Sequence, residues 1–166
     1  MTLRTKEKYS STIYQERPVL IKGGVDLWSK VNSRSPFSVN LFGNVQIEAP
    51  EPSGPVGLAS GDFISRSRYT VTGDATVYEL EDGSRTLRLE DFESTNGPNL
   101  FVYLTSADAD APDADLDGDF IDLGALRGNV GNQNYDIPAD VDLEVYDTVV
   151  IWCRPFAVAF GAADLS

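Results

Sequence analysis

The sequence predicts an all-β fold, an antiparallel β-sandwich with an extended N-terminal arm. From Gly61 onward, apolar and polar residues alternate with a period of two almost everywhere, which is typical of strands with one buried face. Asp82-Gly83 separates two such runs and predicts a tight hairpin turn, and no long helical period competes. The chain has 166 residues, about one domain, and its hydrophobic fraction of 42% is enough to bury a core.

The predicted organisation has three parts. Residues 1–50 are an N-terminal arm followed by a short hairpin, in which apolar residues alternate on both sides of Gly43-Asn44. The arm itself, Thr2 to Arg17, is polar and has no sustained period. Residues 51–60 are rich in proline and glycine and predict a linker, and residues 61–166 form the sandwich. Whether the hairpin joins the main sheet is left open.

The predicted strands of the sandwich share the period of two and cover residues 75–80, 85–90, 100–104, 148–153 and 156–160. Pro155 separates the last two runs. Because proline cannot donate a hydrogen bond to a strand ladder, it predicts a bulge, a sheet edge or a crossing between sheets. The period also places Val149, Ile151 and Cys153 on one face of their strand.

The composition excludes several kinds of chemistry. The chain has no histidine, so Ser-His-Asp and Cys-His catalysis, imidazole zinc sites and His-ligated haem are excluded. The single cysteine cannot close an intramolecular disulfide. No other catalytic constellation is recognisable, so an enzymatic role is not favoured.

Charge and hydropathy limit the partners. The net charge of -13 makes nucleic acid and anionic membranes poor partners for the whole molecule. The longest strictly apolar run, Val149–Cys153, is far shorter than the roughly 20 residues of a membrane-spanning helix. Arg4, Lys6 and Lys8 are not followed by an apolar segment, so no secretory signal is predicted; removal of a leader is the open alternative.

Several motifs follow one another in the order of a known domain. They are Gly61-Asp62-Phe63, Tyr69–Ala75, Leu87–Phe92 with Asn96–Leu100, Val102-Tyr103-Leu104, Phe120–Gly124, Gly131–Tyr135, Val150–Phe156 and Val158–Gly161. Together they resemble the DM-thirteen (DM13) domain, a module assigned to electron transfer and found beside DOMON domains in mostly extracytoplasmic proteins. The resemblance covers about residues 61–165. It implies a compact β-sandwich whose characteristic cysteine is Cys153, with a redox role for that residue.

Cys153 is therefore the candidate redox residue. An exposed thiolate can be oxidised to a sulfenic acid or can ligate haem, although the chain lacks an obvious second axial ligand. Arg154 is its neighbour in sequence, but on a strand it points to the opposite face. The alternative is that Cys153 packs with Val149 and Ile151 as a small buried hydrophobe.

An aspartate-rich segment is the candidate metal site. Asp113, Asp115, Asp117 and Gly118 match the opening of a calcium loop, D-x-D-x-D-G. The twelfth position is Gly124 and not the bidentate glutamate, so any site is non-standard, with Asp119 or Asp122 as a substitute ligand. Calcium is thus the candidate ion. The alternative is a solvated acidic insertion between strands.

The charge is also unevenly distributed along the chain. Residues 1–60 carry seven basic and five acidic side chains, a net of +2, whereas residues 61–166 carry six and twenty-one, a net of -15. Three functions follow. The first is the electron-transfer module centred on Cys153. The second is a non-catalytic assembly protein, in which the basic arm docks on the acidic sandwich of another copy or of a larger particle. The third is a binding domain steadied by calcium.

Overall fold

The computed structural model describes the backbone of residues 37–39 and the whole of residues 43–166. The predicted arm, Thr2 to Arg17, lies outside these residues. The strands are Phe37–Val39 (β1), Val45–Ile47 (β2), Val56–Asp62 (β3), Ile64–Ser65 (β4), Val71–Glu79 (β5), Arg85–Ser94 (β6), Leu100–Thr105 (β7), Phe120–Ala125 (β8), Gln133–Ile137 (β9), Thr148–Cys153 (β10) and Val158–Asp164 (β11). The helix Asp113–Leu116 (α1) is a single turn.

The strands beyond the first two form two sheets. One has four strands in the order β3-β5-β6-β9, and the other has five in the order β4-β11-β10-β7-β8. Neighbouring strands within both sheets are antiparallel. The predicted all-β antiparallel architecture is confirmed. The inner faces enclose one apolar core that includes Leu87, Leu89, Val102, Val149 and Ile151, all fully buried.

The β5–β6 hairpin forms where the Asp-Gly pair predicts it. Gly83 has a φ of +80°, a conformation that glycine adopts without steric cost. The Asp82 carboxylate accepts hydrogen bonds from the backbone N–H and the hydroxyl of Ser84, at 2.9 and 2.6 Å. These local bonds fix the turn and set the register between β5 and β6, the two long strands that the turn joins.

The β1–β2 hairpin is attached to the sandwich on the side of the four-stranded sheet. Beyond its pairing with β1, strand β2 exchanges hydrogen bonds with Val130: the Ile47 N–H donates to the Val130 carbonyl at 2.8 Å, and the Val130 N–H donates to the Val45 carbonyl at 3.2 Å. Ile47 is 5% exposed. Of the predicted linker, residues 56–60 belong to β3 and pair with β5. The domain boundary predicted at 51–60 stays a prediction.

Pro155 has a different role from those predicted. It lies in a short 3₁₀ turn, Arg154–Phe156, that joins β10 to its neighbour β11 in the same sheet. The prediction of a crossing between sheets at Pro155 is therefore wrong, and the irregularity in the β10–β11 ladder lies earlier, between Ile151 and Trp152. Ala157 closes the turn with a φ of +50°.

A second apolar cluster covers the outer face of the five-stranded sheet. Tyr103, Val150 and Trp152 from the sheet pack there against Ala109 and Leu116 from the connection between β7 and β8. The aspartate-rich segment therefore lies on this face, with Leu116 as its buried anchor. Within the part of the chain that the structure describes, no helix is long and apolar enough to cross a membrane.

Candidate functional site

Cys153 ends β10 with its side chain in the core between the sheets. Its exposed fraction is 0%, and it belongs to the same cluster as Val149 and Ile151. The period of two along β10 produces this placement, because it turns every second residue toward the opposite sheet. The structure therefore agrees with the alternative prediction, in which Cys153 is buried in the core with Val149 and Ile151.

The thiol lies under the loop formed by residues 95–99. The Cys153 Sγ donates a hydrogen bond to the Pro98 carbonyl at 3.3 Å, and Cys153 is opposite Leu100 in the β10–β7 register. The loop is packed closely: a Cβ at Gly97 would overlap the ring of Phe160. Asn99 has a φ of +49°, a conformation that asparagine tolerates better than most residues. In this conformation the thiol is closed to reagents in solution.

Arg154 does not contact the thiol. Its guanidinium lies 3.3 Å from the ring centroid of Phe101, its Nε donates to the Tyr103 hydroxyl at 2.7 Å, and it forms an ion pair with Asp122. These partners belong to the outer face of the five-stranded sheet. As predicted, the positive charge next to Cys153 in sequence is on the other face.

The residues around Cys153 do not fit a haem. An axial thiolate has to face a slot that admits the ring, whereas Sγ is buried and bonded to a backbone carbonyl. The chain has no histidine, and its one methionine, Met1, lies outside the described residues.

The structure does not bring the four candidate calcium ligands together. Asp113 and Asp115 are in α1, and the Asp113 carboxylate is 3.4 Å from Arg66 Nη2. Asp117 follows the end of α1, and the Asp119 carboxylate accepts a hydrogen bond from the Tyr146 hydroxyl at 3.0 Å. Among the described residues, no three carboxylate or thiol side chains converge closely enough to hold a metal ion. The calcium site stays a prediction.

A cavity of about 280 Å³ lies beside the loop that covers Cys153, and we call it the Arg127 cavity. Its walls are Val45, Asn96, Gly97, residues 99–101 and residues 125–129. No acidic residue is among these described wall residues, although residues 61–166 carry twenty-one. Sequence reasoning missed this site, because Asn96, Asn99 and Arg127 are separated along the chain and match no motif.

A larger depression of about 670 Å³ has the opposite character, and we call it the acidic groove. Its walls include Asp62, Asp74, Glu90 and Asp164, with the half-exposed apolar side chain of Ile64. A hydrogen bond with Asp62 is the largest of the effects that raise the pKa of Asp74, and burial and nearby carboxylates act in the same direction. The groove is therefore a place where negative charges repel one another.

The fold and the thiol define a small all-β module with a single cysteine protected inside its core. The family described as electron transfer DM13 matches residues 62–165, which is more than half of the chain and includes Cys153. The chain belongs to this family. No curated protein and no solved structure matches the chain.

Proposed function

We propose that this chain is an electron-transfer module whose redox group is the bare thiol of Cys153. The observation that carries the proposal is the placement of the chain's one cysteine: it lies within the DM13 match and beneath the loop of residues 95–99, bonded to the Pro98 carbonyl. A buried thiol is protected from indiscriminate oxidation. Movement of the loop would then decide when Cys153 reacts.

The chemistry that suits a single thiol is exchange with a disulfide. The Cys153 thiolate attacks one sulfur of a disulfide, a new S–S bond forms, and the other sulfur leaves as a thiolate. A second thiol then attacks the mixed disulfide and releases Cys153 in its reduced form. A third thiol, which belongs with the second one to a dithiol donor, then attacks the disulfide that the second thiol has formed and releases the remaining sulfur as a thiolate. Two electrons thus pass from that dithiol to the original disulfide, and Cys153 serves as the intermediate carrier.

The test is the rate at which native protein forms a mixed disulfide with glutathione disulfide, followed by intact mass. We expect modification of Cys153 alone, slower than in urea-unfolded protein, and reversed by dithiothreitol. Asn99→Gly, which relaxes the left-handed position in the covering loop, is expected to speed the reaction. Asn132→Gly, outside that loop, is the control. Native protein that stays unmodified while the unfolded chain is fully modified would show that Cys153 serves packing alone.

We also propose a second function, assembly through the basic N-terminal segment, because the acidic groove offers it a complementary surface. All seven Lys and Arg side chains of residues 1–60 precede residue 35. The groove presents four carboxylates beside Ile64. A hydrogen bond with Asp62, burial and nearby carboxylates raise the pKa of Asp74, so its ionised form is disfavoured there, and a bound cation would stabilise that form. The partner surface would be the groove of another copy.

The test is the subunit count by light scattering at low and high salt. We expect self-association that high salt weakens and that deletion of residues 2–17 abolishes. The double variant Asp62→Asn/Asp74→Asn is expected to weaken it, whereas Asp136→Asn/Asp140→Asn, exposed carboxylates outside the groove, leaves it unchanged. A monomer at every concentration would rule out self-assembly.

A further inference from the structure

The Arg127 cavity is an open depression with room for a small molecule. It is bounded by the first residues of β7, the loop before that strand, the connection after β8 and Val45 of β2. Its volume of about 280 Å³ is just below the range, roughly 300–1,000 Å³, for small-molecule sites. The occupant would therefore be small.

Arg127, an exposed residue that lines the cavity, has no anionic partner among the described residues. Three other arginines of the domain, Arg66, Arg88 and Arg154, each pair with a carboxylate. Arg127 instead lies 5.0 Å from the ring centroid of Tyr135. In the part of the chain that is described, its guanidinium has neither a carboxylate nor a hydrogen-bond partner, so its N–H donors are available to a ligand.

The support beneath Arg127 is rigid and uncharged. The Tyr135 hydroxyl donates to Gln133 Oε1 at 2.8 Å, and the same Gln133 oxygen accepts the backbone N–H groups of Arg127 and Gly128 at 3.1 and 3.2 Å. Burial raises the pKa of Tyr135 to about 12, so the phenol is neutral at physiological pH and does not compensate the guanidinium. A guanidinium stacked on a fixed ring is preorganised to bind a carboxylate.

The rest of the lining suits a short organic acid. Asn99 makes no side-chain hydrogen bond to any described residue and can donate to a second ligand oxygen. Asn96 uses its Nδ2 to donate to the Gly43 carbonyl at 2.9 Å, which leaves its Oδ1 as an acceptor. Leu100, Phe101 and Leu126 supply apolar surface for a short carbon chain.

From these contacts we propose that the Arg127 cavity binds a small monocarboxylate with a short apolar tail, its carboxylate on the Arg127 guanidinium and its tail toward Leu100 and Leu126. The Asn99 amide is the second donor to the carboxylate. Binding at this cavity does not depend on the redox role of Cys153, and its test does not measure the reactivity of the thiol.

The test is a titration of the full-length chain with sodium butyrate, followed by amide chemical shifts in ¹⁵N NMR spectra. We expect saturable shifts at Gly97, Asn99 and Gly128. Butyramide, which has the same shape without the charge, is expected to bind about tenfold more weakly or worse, because a charge-assisted hydrogen bond is lost. This comparison needs no variant, so it is independent of any folding defect.

Arg127→Gln removes the charge, and Arg68→Gln is the matched control, since Arg68 also lies over a tyrosine ring, at 5.5 Å from Tyr69, but outside the cavity. We expect Arg127→Gln to weaken butyrate binding by about tenfold or more, with Arg68→Gln unchanged. The proposal is overturned by shifts that do not saturate, by equal binding of butyrate and butyramide, or by equal losses in the two variants.

Discussion

The Arg127 cavity and the acidic groove are two depressions in one strongly acidic sandwich, and their linings have opposite charge. Four carboxylates line the groove, from Asp62, Asp74, Glu90 and Asp164. Among the described residues, no carboxylate lines the Arg127 cavity. The net charge of -13 is therefore a sum over regions that differ in charge. The residues that line each depression decide which ligand it can bind.

The two depressions also differ in how their charges are balanced. Glu90 in the groove is paired with Arg88, whose Nε donates to its Oε1 at 2.9 Å, whereas neither Asp62 nor Asp74 forms an ion pair with a described residue. In the Arg127 cavity, the guanidinium rests on a neutral ring. One region retains uncompensated negative charge and the other retains uncompensated positive charge, so each is complementary to a different ligand.

The largest effect is expected from Arg88→Met, because this side chain connects Glu90 of the groove to the segment at Ala49 and Pro50. Arg88 is 2% exposed and donates to Glu90, to Asn134 Oδ1 at 2.9 Å and to the Pro50 carbonyl at 3.0 Å. Its loss leaves several polar groups without partners, and we expect the free energy of unfolding to fall by about 3 kcal/mol. Urea denaturation measures the loss.

Arg85→Met is the control for that variant. Arg85 also donates to backbone carbonyls, those of Pro138, Ala139 and Val141, but it is nearer the surface and has no ion pair among the described residues. We expect a loss of about 1 kcal/mol. Equal losses for the two variants would mean that the ion pair and the contact with Pro50 add nothing.

The second effect concerns the wall that β2 contributes to the Arg127 cavity. Gly131 has a φ of +99°, and a Cβ there would overlap the Ile47 carbonyl oxygen. Gly83 has a φ of +80° with no atom within 4 Å of a Cβ, so Gly83→Ala carries the backbone cost without the overlap. We expect losses of about 1 kcal/mol for Gly83→Ala and about 2–3 kcal/mol for Gly131→Ala.

Hydrogen exchange localises the damage. In Gly131→Ala, the amides of Ile47 and Ala49, which donate to the Val130 and Asn132 carbonyls at 2.8 Å, should exchange faster, while Gly83→Ala leaves them protected. Unchanged protection in both variants would show that β2 moves aside without losing its attachment.

A smaller effect is expected from Asp74→Asn in the groove. Because the pKa of Asp74 is raised in the folded state, the native protein binds this proton more tightly than the unfolded chain does. The free energy of unfolding therefore falls as pH rises from the ordinary pKa of 3.8 through the raised folded value. At neutral pH the variant should be more stable by a few tenths of a kcal/mol, an advantage that vanishes at low pH and shrinks in salt.

Asp82→Asn should shift stability in the opposite direction. Hydrogen bonds from Ser84 lower the pKa of Asp82, so its contribution to stability is present above the ordinary pKa and is lost as pH falls through the folded value. At neutral pH the variant should be less stable than the parent. A loss of stability in Asp74→Asn would contradict the repulsion assigned to the groove.

Sequence reasoning was sufficient where structure follows from local pattern. Alternation sets side-chain direction along a strand, so the burial of Cys153 with Val149 and Ile151 was within reach of the sequence. The position of the loop over the thiol could not be predicted from the sequence, because it depends on the register that places Leu100 opposite Cys153. The Arg127 cavity depends on three segments brought together only by folding, and Pro155 was misjudged because its missing donor is accommodated within a local 3₁₀ turn.

Calcium is expected to have the smallest effect on stability, and the reason is the helical geometry of α1. The D-x-D-x-D-G spacing suits a calcium loop, but Asp113 and Asp115 are in a helical turn, where residues two apart do not face each other. Binding would have to unwind α1 and release Leu116, which is fully buried. We expect millimolar calcium to raise the melting temperature by no more than about 1 °C, as for a ligand that barely discriminates native from unfolded protein. A rise of several degrees that Asp115→Ala/Asp117→Ala abolishes, and that Asp136→Ala/Asp140→Ala does not, would instead show that the segment rearranges around the ion, as its spacing predicts.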